Sequence, residues 1–330
     1  MTNASASVPA VYVRGLRKRY GDVEAVQGID LDVAPGEVFG FLGPNGAGKS
    51  TTIKILCTLA HPDAGEAKVA GYDVTTQRDD VRRHIGLVFQ DTTVDDYLTG
   101  EMNLRFHAEL YGIPRAQVAP RMQQVMEMVG LWDRRASRVQ TYSGGMKRRL
   151  EIARGLMHSP RVLFLDEPTV GLDPQTRASI WKYITELRSR ERITIFMTTH
   201  YMDEAEYCDR IAIIDGGKLV AEGTPAVLKA NVGKDRVAIT TADDEAALAR
   251  LREKFGVEPA RREGHIMFAV ANGEQFVPRL FAELGVPISS VSVARPSLDD
   301  VFLAHTGATI RDKEAAAEDP MARIKRAMRR

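Results

Sequence analysis

Short apolar runs recur through the first two-thirds of the chain, at VYV 11–13, EVFGFL 37–42, IGLVF 85–89, VLFL 162–165, ITIFM 193–197 and IAII 211–214. Several do not alternate with polar residues, which suits strands covered on both faces. Stretches of helical spacing separate most of them, notably 49–59 and 175–190. Strands and helices in alternation predict an α/β domain with a largely parallel sheet. The block 101–137 interrupts this rhythm. It offers no strand candidate, and Met122, Val125, Met126 and Val129 repeat at helical spacing. It reads as a helical insertion in the α/β core, covering about 95–140.

Near residue 230 the pattern changes again. Asn231, Gly233, Lys234 and Asp235 make a polar break with a helix-stopping glycine. Beyond it, RVAIT, DEAALARLREKF, HIMFAV, EQFVPRLFAEL and SSVSVA read as strand, helix, strand, helix, strand. The expected division is an α/β domain over 1–232, a small α+β domain over 233–308, and a polar linker with a basic tail over 309–330. In that tail Met321, Ile324 and Met328 recur at helical spacing among basic residues. A solvated tail and a short amphipathic helix touching anionic lipid both fit.

Composition removes several function classes. The 330 residues include 45 Lys or Arg and 44 Asp or Glu, a formal net charge of +1. That balance speaks against a protein built to bind nucleic acid or to coat a membrane. Cys57 and Cys208 lie far apart without metal-ligand spacing, so they read as packing residues in a reducing compartment. No stretch nears the ~18 consecutive apolar residues of a membrane span. The start, MTNASASVPA, lacks the blocks of a signal peptide. A cytosolic chain is expected.

The chemistry begins where EVFGFL ends. Gly43, Pro44, Asn45, Gly46, Ala47, Gly48, Lys49, Ser50 and Thr51 spell a G-x-x-x-x-G-K-[ST] loop between a strand and a helix. The glycines let successive amides point at phosphate oxygens, and the helix N-terminus adds partial positive charge. Lys49 supplies a full charge for the β- and γ-phosphates, and the Ser50 hydroxyl can ligate Mg²⁺. A second element, VLFLDE at 162–167, ends a buried strand in two carboxylates. Asp166 would hold Mg²⁺ through water. Glu167 would act on the attacking water as general base or orienting group.

Residues 142–146, YSGGM, precede the Arg-rich run KRRLEIARGL and then VLFLDEP. This order resembles the signature sequence of ABC ATPases ahead of their second acidic motif. The resemblance spans roughly residues 10–230 and implies the P-loop ABC nucleotide-binding fold with its helical insertion. It implies that Ser143, Gly144 and Gly145 contact ATP, that Tyr20 stacks on adenine, and that Gln90 links Mg²⁺ to the transport subunit. It also places Asp173 in the loop after the catalytic glutamate, within the nucleotide site, and makes His200 the switch histidine at the γ-phosphate. Tyr142 and Met146 depart from the usual leucine and glutamine. With DDYLTGEMNL at 95–104 and PSLDDVFLAHTG at 296–307, they resemble the daunorubicin/doxorubicin resistance type.

The resemblance implies an ATPase that uses ATP and Mg²⁺ and works as a head-to-tail pair, each ATP held between one loop and the other copy's signature. A second protomer is therefore expected, most simply in a homodimer. A separate transmembrane permease is also expected, with no nucleic-acid partner and peripheral attachment on the cytoplasmic side of the membrane. Asp95 to Leu104 is the candidate coupling surface. The main reading is the ATPase subunit of an efflux transporter for a drug-like or lipid-like compound. A non-transport ABC ATPase in translation or DNA maintenance and an importer subunit are the alternatives.

Overall fold

The structure is a computed structural model that describes residues 8–191, 193–262 and 265–307; the expected linker and basic tail at 309–330 lie outside the described residues. The chain opens with a hairpin, β1 (Val11–Tyr20) and β2 (Val23–Val33), followed by β3 (Val38–Leu42), α1 (Lys49–Leu56), β4 (Ala64–Val69), β5 (Tyr72–Asp73), α2 (Arg78–His84) and β6 (Ile85–Val88). Three helices follow: α3 (Gly100–Leu110), α4 (Arg115–Met128) and α5 (Gly144–Leu156). Then come β7 (Val162–Asp166), α6 (Pro174–Glu191), β8 (Thr194–Thr199), the short α7 (Met202–Ala205), β9 (Arg210–Asp215) and β10 (Lys218–Gly223).

Six strands form one sheet in the order β10-β9-β3-β8-β7-β6, parallel except for the antiparallel β9–β10 pair. β3, β7 and β8 are buried at every residue, which is why they read as continuous apolar runs. Phe39, Phe41, Phe164 and Phe196 pack at its centre, with ring centroids 5.4–5.6 Å apart. β2-β1-β4-β5 form a separate antiparallel sheet whose inner face joins the same core through Val13, Leu16 and Ile29. The apolar-run reading left out β2, β4, β5 and β10. Three of them belong to this half-exposed sheet and β10 edges the larger one, so none is a continuous buried run. The insertion is helical, as expected. Thr99 caps α3 by accepting from the Met102 amide at 3.2 Å, and a Thr99–Arg138 bridge closes its base.

Two compact units divide between Thr224 and Pro225, not after residue 232. The helix α8 (Pro225–Val232) belongs to the second unit because it packs on α11 (Leu298–Thr306). Between those helices run β11 (Asp235–Thr241), α9 (Asp244–Phe255), β12 (Ala260–Arg262), β13 (His265–Val270), α10 (Gly273–Glu283) and β14 (Ile288–Ala294). The sheet order β12-β13-β11-β14, antiparallel throughout, is a split βαβ arrangement. Its core is Val237, Ile239, Ile266, Phe268, Leu251 and Leu280. The sequence reading missed β12, a three-residue strand ARR with no apolar run. Cys57 and Cys208 are free and buried, as the packing reading expects.

Candidate active site

The parallel strands deliver their chemistry at their C-terminal ends, where open α/β sheets place ligands. β3 runs into the loop Gly43–Gly48, which wraps the first turn of α1. A Cβ on Gly43 would stand 2.2 Å from the Ile214 carbonyl oxygen, and one on Gly48 2.4 Å from that of Ala25. Gly48 also has φ +111°, a left-handed conformation that suits glycine. α1 carries no side-chain cap, so its first amides remain free of side-chain acceptors. Pro44 and Ala47 are buried, Asn45 and Gly46 exposed, and Ser50 and Thr51 half-buried.

Lys49 is 4 % exposed, and its Nζ donates to the carbonyls of Gly43 at 2.6 Å and Pro44 at 3.2 Å. It also pairs with Glu167 Oε1 at 3.3 Å. Ser50 Oγ donates to Asp166 Oδ1 at 3.4 Å, bringing the loop and the tip of β7 together. Thr198, on the neighbouring β8, donates to the same Asp166 oxygen at 2.5 Å and accepts from the Glu167 amide at 3.0 Å. His200 follows β8, and its Nδ1 lies 3.4 Å from Glu167 Oε2. Glu167 thus sits between two nitrogens. Burial pushes its carboxyl pKa up, but His200 and the charge of Lys49 outweigh that and hold it below the ordinary value. Its backbone has φ +46°, which is uncommon for a residue with a side chain.

Other expected residues are placed differently. Tyr20 is 49 % exposed at the end of β1, opposite Val23, with Lys18 Nζ 5.4 Å from its ring centre. The adjoining β2 brings Ala25 against Gly48. Gln90 is exposed just beyond β6, whose partner β7 carries Asp166. Ser143 and Gly144 are exposed at the start of α5 and Gly145 is buried. Ser143 Oγ caps that helix by accepting from the Met146 amide at 3.3 Å. A Cβ on Gly145 would meet Thr176 Cγ2 at 2.4 Å, so α5 packs on the start of α6, not on the phosphate loop. Asp173 caps α6. Its Oδ1 accepts from the amides of Gln175 and Thr176, and its Oδ2 from the Thr176 hydroxyl at 2.6 Å. The departure at Tyr142 has a structural reason. Its ring is buried and its hydroxyl donates to the Arg134 carbonyl at 2.7 Å, tying the signature to the insertion.

Three supporting residues were not legible as site residues. Thr198 joins the Asp166 carboxylate to the Glu167 backbone amide as described. Glu204 is 2 % exposed and accepts from the hydroxyls of Thr169 and of Thr199, the latter at 2.7 Å, so it holds the segments after Glu167 and before His200. Arg148 is 6 % exposed and bonds to carbonyls on both sides of Glu167. Its signal was periodicity: Gly145, Arg148, Ile152 and Gly155 share one helical stripe.

A glycine cradle on a helix N-terminus, a lysine inside it and an acidic strand tip beside it define a P-loop nucleotide hydrolase. Residues 26–170 match the ABC transporter family, and residues 223–306 match the family described as ATP-binding protein DrrA1-3-like, C-terminal domain. A daunorubicin resistance ATP-binding protein of Streptomyces coeruleorubidus is 41% identical over 93% of this chain and 99% of its own length. A linearmycin resistance ATP-binding protein of Bacillus subtilis is 39% identical, over 90% of this chain and 98% of its own. Among solved structures, a dimeric post-hydrolysis state of an ATP-binding cassette bound to ADP and Pi aligns with TM-score 0.59 and 27% identity. That alignment covers 65% of this chain and 98% of the other. The chain belongs to the family of ABC transporter ATP-binding proteins, ATPases with a cassette followed by a DrrA-like C-terminal domain. No helix among the described residues is long and apolar enough to cross a membrane.

Proposed function

We propose that this chain powers an efflux transporter for an amphipathic drug-like or lipid-like compound, as one of two cassettes attached to a separate membrane permease. The observation that carries the reading is the meeting of Lys49, Ser50, Asp166, Glu167 and His200 at one end of the sheet, with the signature opening outward elsewhere. Relatives named for daunorubicin resistance, linearmycin resistance and Nod factor export support the export direction. Peripheral attachment on the cytoplasmic side is then supplied by the permease.

In this reading the loop amides and Lys49 bind the β- and γ-phosphates and Tyr20 stacks on adenine. Glu167, kept ionised by its two nitrogen neighbours, takes or orients the proton of the attacking water. His200 holds Glu167 and faces the γ-phosphate. Ser143, Gly144 and Gly145 complete the site of the second copy, and Asp173 lends its loop to the same interface by capping α6. Ser50 and Asp166 converge as hard oxygen donors, with Gln90 nearby in sequence order along the adjoining strand end. Among the described residues no cluster of three His, Cys, Asp or Glu side chains could hold a metal alone. The two hard oxygens of Ser50 and Asp166 are the donor set that suits Mg²⁺, which binds through one or two protein oxygens plus phosphate. When bound it would neutralise charge on the β- and γ-phosphate oxygens.

Exposed Tyr97, Met102, Phe106 and Leu110 mark the apolar side of the insertion near the candidate coupling segment Asp95 to Leu104. Beside them a pocket of about 240 Å³ is lined by Phe89, His107, Tyr111, Arg154 and His158. The test is co-expression with a candidate permease and assay of inverted membrane vesicles. ATP-dependent accumulation of an anthracycline or polyene, lost in Glu167→Gln, is expected. Failure of any permease to bind the chain or alter its ATPase rate would overturn the transport reading.

A further inference from the structure

We propose that Arg148 is a positioning residue for hydrolysis, fixing the backbone of Glu167 and of the turn that carries Gln90 to the signature helix α5. The proposal rests on the reading of Glu167 as the residue that acts on water. Arg148 Nε donates to the Pro168 carbonyl at 2.6 Å and Nη2 to the Asp166 carbonyl at 3.1 Å, so both neighbours of Glu167 are held by one guanidinium. Nη1 donates to the Phe89 carbonyl, one residue before Gln90, and to Glu151 Oε2 at 3.1 Å. Glu151, fully buried, extends the grip. Its Oε1 accepts from the Thr93 amide at 2.6 Å and from the Thr93 hydroxyl at 3.2 Å.

The need for such a grip lies in the left-handed backbone of Glu167, φ +46°. A strained conformation persists where its surroundings over-determine it. Here the Glu167 amide is fixed by Thr198 and the carbonyls of its two neighbours by Arg148. A planar guanidinium can serve several carbonyls at fixed angles, whereas an ammonium presents a point charge on a flexible stem. Ser143, the candidate contact to the other copy's nucleotide, starts the same helix. Any displacement of α5 therefore reaches Glu167 and Gln90 through this one side chain.

The test compares Arg148→Lys, Glu151→Gln and Glu167→Gln in the assembled transporter, with kcat, the Kd of a fluorescent ATP analogue and the thermal midpoint. Arg148→Lys should lower kcat about 10- to 100-fold, the range expected for a misplacement near 1 Å, with Kd changed by less than about threefold. Glu151→Gln, which keeps the shape, should lower kcat less and leave Kd alone. Wild-type kcat in Arg148→Lys, or parallel loss of kcat, ATP affinity and thermal midpoint, would overturn the proposal. If Arg148→Lys does not fold, Glu151→Gln decides, and an unchanged kcat there overturns it. Full turnover in Glu167→Gln would remove the underlying reading and this proposal with it. Lost turnover there beside an active Arg148→Lys removes the positioning role alone.

Discussion

Two helix N-termini in this chain begin with glycine-rich sequence, and they are built in opposite ways. At α1 the loop is enclosed: Gly43 and Gly48 touch the backbones of Ile214 and Ala25, Lys49 is buried, and no side chain caps the helix. At α5 Ser143 caps its own helix, Ser143 and Gly144 are exposed, and a Cβ on Gly144 would find only Leu172 at 3.6 Å. The first start is complete within one chain. The second has a surface and no internal customer. On the proposed reading, enclosure, and not glycine content, separates a site that binds alone from one that completes a neighbour's.

The strongest way to test that contrast is at the proposed catalytic carboxylate, Glu167. Glu167→Gln should slow turnover by about 10²–10⁴-fold while leaving ATP bound at the α1 cradle; single-turnover hydrolysis and nucleotide binding measured together check it. In the proposed reading the ionised form of Glu167 is the active one, and its pKa lies below its ordinary value of 4.5. The acid limb due to this group should therefore fall below that pH, and turnover should not decline through it between roughly pH 8 and 5.

Mixing experiments come next. Lys49→Ala damages the enclosed start and Ser143→Arg the open one. Mixed protomers should recover one intact composite site per mixed dimer, absent from either parent; with random pairing at equal mixing about half of the dimers are mixed, so about a quarter of the wild-type trapped ATP is expected. No gain on mixing would mean that the open start serves its own chain.

Glycine replacements should sort by enclosure. Gly48→Ala places a Cβ against the Ala25 carbonyl at φ +111° and should cost about 2–4 kcal/mol of stability, with ATP affinity lost in the single chain. Gly144→Ala should leave the thermal midpoint and single-chain affinity within error, because the added methyl meets ordinary contact distance. The smallest structural effect belongs to Ser143→Gly. It should cost only a few tenths of a kcal/mol as a cap, yet reduce steady-state turnover. Equal turnover would separate the hydroxyl from function.

The sequence made the enclosed start legible because parallel strands covered on both faces leave continuous apolar runs, and EVFGFL and VLFL point straight at Lys49 and Asp166. The same logic hid strands whose faces differ, such as β2, in which Val26, Ile29, Leu31 and Val33 are buried between exposed or half-exposed residues. It also misplaced the unit boundary, since Gly233 punctuates the chain more loudly than Pro225, although packing assigns α8 to the second unit. Arg148 and Glu204 stayed hidden for a different reason. A charged residue in a charged run reads as surface until its helical stripe is traced, and the backbone groups that Arg148 binds have no sequence signature. Tyr20 and Gln90 were recognisable only through family order, since exposed side chains carry no pattern of their own.

The burial of the two thiols has a practical consequence for observing the molecule. Cys208 packs so tightly that a Cβ on Gly40 would stand 2.9 Å from its sulfur, and desolvation raises the pKa of both cysteines. Thiolate is the species that reacts with alkylating dyes, so neither native thiol competes for label at neutral pH. A cysteine introduced at exposed Gln140, just ahead of the signature, can therefore carry a fluorophore in an otherwise unaltered chain. Energy transfer between two such copies would track the approach and separation of the signatures in real time, with every native residue of the ATP cradle still in place.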